Sequence, residues 1–168
     1  RWMYEESLKM PFIVKWPGVT RPGSRDNHLI QNLDYAETFL EMAGAQVPTD
    51  MQGQSLVPLL KGQSPKNWRK SIYYHYYEYP SVHMIPRHYG IRTQRYKLMH
   101  FYQFGNEWEL YDLKKDPDEL NNIYGQAEYA KLQQRIKNRL VRLQQHYEDN
   151  SNISENPDSC KAKMRIKK

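Results

Sequence analysis

Apolar and polar positions in the first third of the chain predict one short strand followed by one amphipathic helix. Residues 12–14 (FIV) form an apolar run that a Trp-Pro-Gly turn closes, as expected of a buried strand. Asp34 is a candidate helix N-cap, Glu37 completes a capping box three residues later, and Gly44 is the expected helix stop. The apolar face of this helix carries Tyr35, Phe39, Met42 and Ala43. Because one strand and one helix cannot bury both faces of a sheet, we expect this region to complete a larger α/β layer.

The next 85 or so residues alternate in a way that predicts an antiparallel meander and then a long helix. Strands are predicted at residues 71–78, at 89–102 with a bend near 94–95, and at 107–113. Asp116 and Pro117 end the sheet and have the residue types of an N-cap and a first helical position. After Gly125, a stripe at spacings of three and four predicts a helix that packs on the sheet. The stripe consists of Leu132, Ile136, Leu140, Leu143 and Tyr147.

These patterns predict a fold in two parts with a tail. Residues 1–63 are interpreted as the end of an α/β domain, and residues 64–148 as an α+β subdomain in which one long helix packs a small antiparallel sheet. Residues 149–168 form a polar, basic tail with a glycosylation sequon and the single cysteine, Cys160. One cysteine excludes an intrachain disulfide and a cysteine-based zinc cluster. No apolar run reaches the roughly 18 residues that a membrane span needs.

Composition narrows the partners only slightly. The 168 residues carry a formal charge of +6, and 13% of them are aromatic, with 14 tyrosines, which is typical of a packed domain rather than a disordered chain. A net positive charge favours acidic partners such as nucleic acid, anionic lipid, or a sulfated or phosphorylated substrate. Part of the excess lies in the tail, and the basic residues of the long helix are interpreted as a solvent-facing surface. We therefore expect no nucleic-acid partner.

Motifs for phosphate loops, serine nucleophile elbows and helical zinc sites are absent from the sequence. The best candidate for chemistry is residues 75–88, with three histidines, one arginine and several tyrosines around a proline-broken loop. Aromatic rings beside His and Arg suit a sugar that bears an anion. His83, Arg87 and His88 are the candidate substrate contacts, and Arg92 projects from the following strand. The alternative is that the tyrosines pack the sheet, the histidines form local hydrogen bonds, and Arg92 belongs to a structural ion pair.

Five segments, in the same order, resemble type I sulfatases of the alkaline-phosphatase-like superfamily, which depend on formylglycine. These are residues 4–18 (YEESLKMPFIVKWPG), 32–40 (NLDYAETFL), 52–60 (QGQSLVPLL), 90–98 (GIRTQRYKL) and 109–117 (ELYDLKKDP). The second segment departs from the family pattern, since Glu37 replaces a common proline. The tract from Tyr73 to Leu98 is most similar to bacterial glycosaminoglycan or N-acetylglucosamine-6-sulfatases.

The resemblance implies a formylglycine nucleophile beside a Ca²⁺ ion, with lysine and histidine side chains on the sulfate. It places the sulfate-binding lysine immediately before Arg1 and the other catalytic and metal residues further upstream, so this chain is expected to contain none of them. Cys160 does not match the nucleophile motif. The expected partners are therefore a missing N-terminal catalytic portion and a sulfated sugar, the latter held in part by His83, His88, Arg87 and Arg92. Family members are commonly periplasmic, secreted or lysosomal.

Two other functions remain open from the sequence. One is a phosphodiesterase or phosphonate hydrolase of the same superfamily, which a different upstream nucleophile motif would distinguish. The other is a stand-alone carbohydrate-binding or structural module.

Overall fold

The computed structural model of the chain describes residues 1–149, which form two compact units. Of the described residues, 1–10 and 73–149 belong to one unit and 11–72 to the other. We call them the sheet unit and the connecting unit. Residues 1–10 thus belong with the sheet, whereas the sequence grouped them with the segment that ends at residue 63. The sequon and Cys160 lie outside the described residues.

The sheet unit is built on a four-stranded sheet in the order β1-β2-β3-β4. Its strands are β1 (Ser71–Tyr76), β2 (His88–Thr93), β3 (Tyr96–Phe101) and β4 (Glu107–Asp112). In the antiparallel register, Leu98 of β3 lies opposite Ile91 of β2 and Leu110 of β4. The predicted meander and its bend at 94–95 are confirmed, although β1 ends two residues earlier than expected.

One face of the sheet is covered by helix α4 (Ala130–His146), which follows a 3₁₀ turn at Ala127–Tyr129. Ile136 and Leu140 are buried against a core that includes Ile91, Leu98 and Leu110, as the stripe predicted. The start of a helix at Asp116 and Pro117 is not observed. Instead, the Asp116 carboxylate accepts hydrogen bonds from the backbone N–H groups of residues 120 and 121, at 3.1 and 2.9 Å, and holds a loop.

Residues 1–10, with the single-turn helix α1 (Glu5–Leu8), pack on a second apolar cluster of the sheet unit. Met3 is fully buried there beside Met99, Phe101 and Tyr111. This close approach requires a glycine at position 90, because a Cβ on Gly90 would lie 2.6 Å from Met3 Sδ and would also clash with the Leu98 carbonyl oxygen. The N-terminal segment is therefore an integral part of the sheet unit.

The connecting unit contains helices α2 (Asp34–Met42) and α3 (Val57–Leu60) and is organised by buried polar groups. The Asp34 carboxylate pairs with Arg69 and accepts hydrogen bonds from the N–H groups of Gln31 (2.7 Å) and Gln54 (2.9 Å). Glu37 accepts from the Gly53 N–H at 2.6 Å. The predicted capping box is therefore wrong, because both carboxylates bind backbone groups from outside the first turn of α2. The helix stop at residue 44, where φ is +68°, is confirmed.

Part of the predicted apolar face of α2 is exposed, although Tyr35 packs on the apolar cluster around Leu56. Phe39 is 66% exposed and Met42 41% exposed, while the buried positions of the helix are polar. Residues 12–14 form no strand, and Ile13 is 91% exposed, so the prediction of a buried strand is wrong within the described residues. The physical reason is that no neighbouring strand pairs with this segment in the connecting unit. Among residues 1–149, no helix has the length and apolar character to cross a membrane.

Candidate functional site

The loop between β1 and β2, residues 77–87, carries most of the candidate site. It adjoins the loop after β3 through an edge-to-face contact of Tyr79 and Phe104, whose ring centroids are 5.0 Å apart. Tyr77 is 54% exposed and Phe104 65% exposed. We call these three aromatic residues the aromatic rim. His83 is exposed in the same loop, so aromatic and titratable side chains share this end of the sheet unit.

Arg87 ties the two loops together. Its Nη2 donates a hydrogen bond to the Tyr79 carbonyl oxygen at 2.6 Å, and its own carbonyl accepts from the Tyr102 N–H at 3.2 Å. The Arg87 side chain is half-buried beside the aromatic rim, and its Nε is buried without a hydrogen-bond partner among the described residues. Burial raises the pKa of Tyr102 to about 12, and the charge of Arg87 opposes that rise. Arg87 therefore places a positive charge next to aromatic surface, which is an arrangement that suits an anionic sugar.

His88 begins β2 underneath this loop and is fully buried. Its Nδ1 lies 2.7 Å from the Pro86 carbonyl oxygen. Its ring stacks with Trp2 and Tyr76, at centroid distances of 5.8 and 5.5 Å. Burial lowers the pKa of His88, so the neutral imidazole is favoured. In this packing His88 presents no surface to a sugar, and contact with substrate would require the side chain to leave it.

His75 lies in a separate buried cluster that joins β1 to the end of α4. Its Nδ1 is 2.6 Å from Asp149 Oδ2, and the two side chains are only 2% and 5% exposed. Its Nε2 is 2.8 Å from the Tyr102 hydroxyl, and the Tyr77 ring covers it at a centroid distance of 3.7 Å. Burial lowers the pKa of His75, while Asp149 opposes that shift. Local hydrogen bonding, the alternative considered from the sequence, describes His75 in this structure.

Arg92 is not brought together with the other three candidates. It lies at the opposite end of β2 from His88 and donates a hydrogen bond to Glu5 at 3.0 Å. Fully buried Lys97 lies 2.7 Å from both Glu5 and Glu119, so two cations and two carboxylates alternate here. Burial alone raises the pKa of Glu5, but hydrogen bonds from Arg92 and Lys97 outweigh burial and leave that pKa below its usual value. Arg92 therefore forms the structural ion pair that the sequence left open.

Among residues 1–149, no three His, Cys, Asp or Glu side chains converge in a way that could hold a metal ion. The resemblance places the ligands of the implied Ca²⁺ ion upstream of Arg1, outside this chain. The accessible candidate site is the aromatic rim with His83 and Arg87.

A family model described as "N-sulphoglucosamine sulphohydrolase, C-terminal" matches residues 1–146. The chain belongs to this sulfatase family. It corresponds to the C-terminal region of carbohydrate sulfatases, in which a small antiparallel sheet is packed by a long helix.

Relatives of this sulfatase region are close in sequence and in structure. The chain is 52% identical over 152 residues to an N-acetylglucosamine-6-O-sulfatase of Bacteroides thetaiotaomicron, covering 89% of the chain and 27% of that protein. It is 35% identical over 132 residues to a delta 4,5-hexuronate-2-O-sulfatase of the same organism, covering 77% of the chain and 27% of that protein. A solved structure of an enzyme in complex with its substrate, D-glucosamine-2-N,6-O-disulfate, superposes with a TM-score of 0.88 and 49% identity, covering 93% of the chain and 32% of that structure. The chain thus spans about a quarter to a third of the length of these relatives.

Two residues near the candidate site could not be, or were not, identified from the sequence. Asp149 was grouped with the polar tail, yet it accepts hydrogen bonds from Tyr73 and Tyr77 as well as contacting His75. It lies 74 residues from His75, and no local pattern indicates such a pairing. Phe104 is not among the candidates named from the sequence, although an aromatic residue between two predicted strands could have been recognised as a candidate contact.

Proposed function

We propose that the full-length protein is a sulfuric-ester hydrolase that acts on sulfated carbohydrate, and that this chain forms its C-terminal part. The 52% identity to an N-acetylglucosamine-6-O-sulfatase over 89% of the chain carries the proposal. The structural match to an enzyme with a bound disulfated glucosamine supports the same class of substrate. A 6-sulfated glucosamine is therefore the first substrate to test.

In this proposal, the aromatic rim with His83 and Arg87 contacts the sugar. Tyrosine and phenylalanine rings provide apolar faces, and the Tyr79 hydroxyl provides a polar tip. The Arg87 guanidinium provides directed N–H donors for a sulfate or hydroxyl oxygen. His83 is exposed and free to turn toward a ligand from the same loop. His88 supports this loop from below through its contact with the Pro86 carbonyl.

The reacting groups are proposed to lie in the part of the enzyme that this chain does not include. The resemblance assigns the formylglycine nucleophile and the Ca²⁺ ligands to positions upstream of Arg1. The exposed apolar residues of the connecting unit are then proposed to pack against that part, which would complete the α/β layer. On this basis, the isolated chain has no sulfatase activity.

The experiment is a sulfate-release assay on the full-length protein with 6-sulfated glucosamine and related sulfated sugars. We expect turnover, and we expect His83→Ala and Arg87→Gln each to lower kcat/KM by about 10- to 100-fold, the effect of losing a hydrogen bond that involves a charged group. His146→Ala removes an exposed histidine at the end of α4 and serves as the matched control. Faster hydrolysis of a phosphodiester or phosphonate than of any sulfate ester would favour the other branch of the superfamily. Aryl sulfate turnover by the isolated chain would contradict the assignment of the catalytic groups.

A further inference from the structure

Helix α4 carries an unusual distribution of charge. Its 17 residues contain five lysine and arginine side chains and no carboxylate. Four of these cations, which we call the cationic face, are Lys131, Arg135, Arg139 and Arg142. The fifth, Lys137, faces elsewhere, with its Nζ 4.1 Å from the Trp108 ring centroid. Lys131, Arg135 and Arg142 are exposed and Arg139 is half-buried, while Ile136 and Leu140 point into the core.

The spacing of these cations costs stability. Successive cations of this face are separated by three or four residues, at positions 131, 135, 139 and 142. Side chains at this spacing are neighbours on a helix surface, so like charges lie next to each other. Such pairs destabilise a helix by a few tenths of a kcal/mol each. Burial, reinforced by the charge of Arg142, lowers the pKa of Arg139. Within residues 1–149, none of the four cations forms a salt bridge with a carboxylate that would relieve this repulsion.

The cationic face also carries hydrogen-bonding groups between its charges. A shallow groove of about 410 Å³ runs along it, lined by Lys131, Arg135 and Arg142 and by two side-chain amides, Gln134 and Asn138. Gln134 donates to Asn138 at 2.8 Å, which leaves amide groups between the cations for hydroxyl partners. From residue 131 to residue 142 the helix rises roughly 16 Å. The charged side chains are therefore spread over more than the length of one sugar ring, with hydrogen-bonding groups between them.

We propose that the cationic face of α4 binds a sulfated polysaccharide and holds the polymer on the enzyme apart from the sugar that is hydrolysed. The inference rests on the proposed function for the choice of polyanion: sulfate groups match the cations, and sugar hydroxyls match the amides in the groove. The binding is a surface interaction, weakened by salt, that raises the local concentration of polymer. It supplies no chemistry and leaves small substrates unaffected.

The test compares two triple variants of the full-length protein on immobilised heparin and with heparin oligosaccharides in solution. K131Q/R135Q/R142Q removes three charges from the cationic face, and K61Q/K66Q/K70Q removes three exposed charges from the connecting unit. We expect the first variant to elute at lower salt and to bind heparin about tenfold more weakly, as the loss of three exposed ion pairs implies. We expect the second variant to behave like the wild-type protein. The first variant should melt at no lower temperature than the wild-type protein, because like-charge pairs are removed.

If both variants weaken heparin binding equally, net charge alone explains the binding and the proposal is overturned. If neither variant weakens heparin binding, the proposal is overturned as well. Tighter binding to duplex DNA than to heparin of equal charge would also overturn it. Turnover of sulfated glucosamine, measured on the same variants, separates the two proposals. If the first variant hydrolyses sulfated glucosamine and elutes from heparin like the wild-type protein, the proposed hydrolase function is supported and the proposed polymer site is refuted. If the first variant binds heparin more weakly but the wild-type protein hydrolyses no sulfate ester, the polymer site is supported and the hydrolase function is refuted.

Discussion

The two units of the chain are stabilised by different kinds of interaction. The sheet unit has a continuous apolar core in which Leu98, Leu110 and Leu140 are at most 1% exposed. The connecting unit has a small apolar cluster around Leu56 and Trp68, but its most buried helical residue is the ion-paired Asp34. Buried apolar surface stabilises wherever it is packed, whereas a buried charge is tolerated only while every partner is in place. The comparison indicates that the connecting unit depends on a few specific polar contacts, whereas the sheet unit combines a larger apolar core with its own buried charged network.

The largest expected effect is on the polar contacts of the connecting unit. Asp34→Ala leaves the Arg69 guanidinium and two backbone N–H groups without their acceptor. Removal of one partner of a buried ion pair costs about 3–5 kcal/mol. We expect amide hydrogen exchange to accelerate in residues 30–60 and to remain slow in β2 and β3. Glu41→Gln, an exposed change in the same helix, is the control. Unchanged protection in Asp34→Ala would refute the dependence on polar contacts.

A change of the opposite kind tests the sheet unit. Leu140→Ala removes a side chain that is 1% exposed and packs on the sheet. Truncation of a buried leucine costs about 2–5 kcal/mol. We expect slow exchange to be lost throughout β2, β3 and α4 while residues 30–60 keep theirs. Val141→Ala, at a neighbouring position that is 50% exposed, should stay within about 0.5 kcal/mol of the wild-type free energy of unfolding. Similar losses in both units after either substitution would show that the units unfold together.

A smaller effect is expected at the charged network that binds residues 1–10 to the sheet unit. Glu5→Gln should cost about 1–3 kcal/mol at neutral pH, since hydrogen bonds to a charged group are lost. Because the pKa of Glu5 is lower in the folded state, its contribution is present above the unfolded pKa of 4.5 and is lost as the pH falls through the folded value. Denaturant titrations between pH 3 and pH 7 should therefore show a weaker acid dependence in Glu5→Gln than in exposed Glu6→Gln. Parallel pH profiles for the two variants would contradict the role of Glu5.

The smallest expected effect concerns the exposed apolar face of α2. Phe39→Ser should change the free energy of unfolding of this chain by less than about 0.5 kcal/mol, because Phe39 is 66% exposed. In the full-length protein, the same change should cost about 1.5–3 kcal/mol if the proposed packing of this face buries the ring. Thermal unfolding of both lengths gives the comparison. An equally small effect in the full-length protein would show that α2 is solvent-exposed there as well.

Much of the sheet unit could be predicted from the sequence, because its elements bury one face each. The positions of β3, β4 and α4 follow from periodic apolar residues such as Leu98, Leu110 and Ile136, which record burial locally. The assignment to a sulfatase C-terminal region followed from five segments in order, and the family match confirms it. Substrate binding by His83, Arg87, His88 and Arg92 stays a prediction.

Tertiary structure alone decided the parts that depend on distant partners. Asp34 and Glu37 have the spacing of a capping box, but Gln54 and Gly53 compete for their carboxylates from 16 to 20 residues away. The same holds for Asp149, which meets His75 only because α4 returns across the sheet. Sequence periodicity reports the buried side of an element when the surface that covers it belongs to the same unit, as for α4, but it does not do so for α2, whose buried positions are polar. Pairing of buried polar groups depends on where the chain returns, and only the folded structure contains that information.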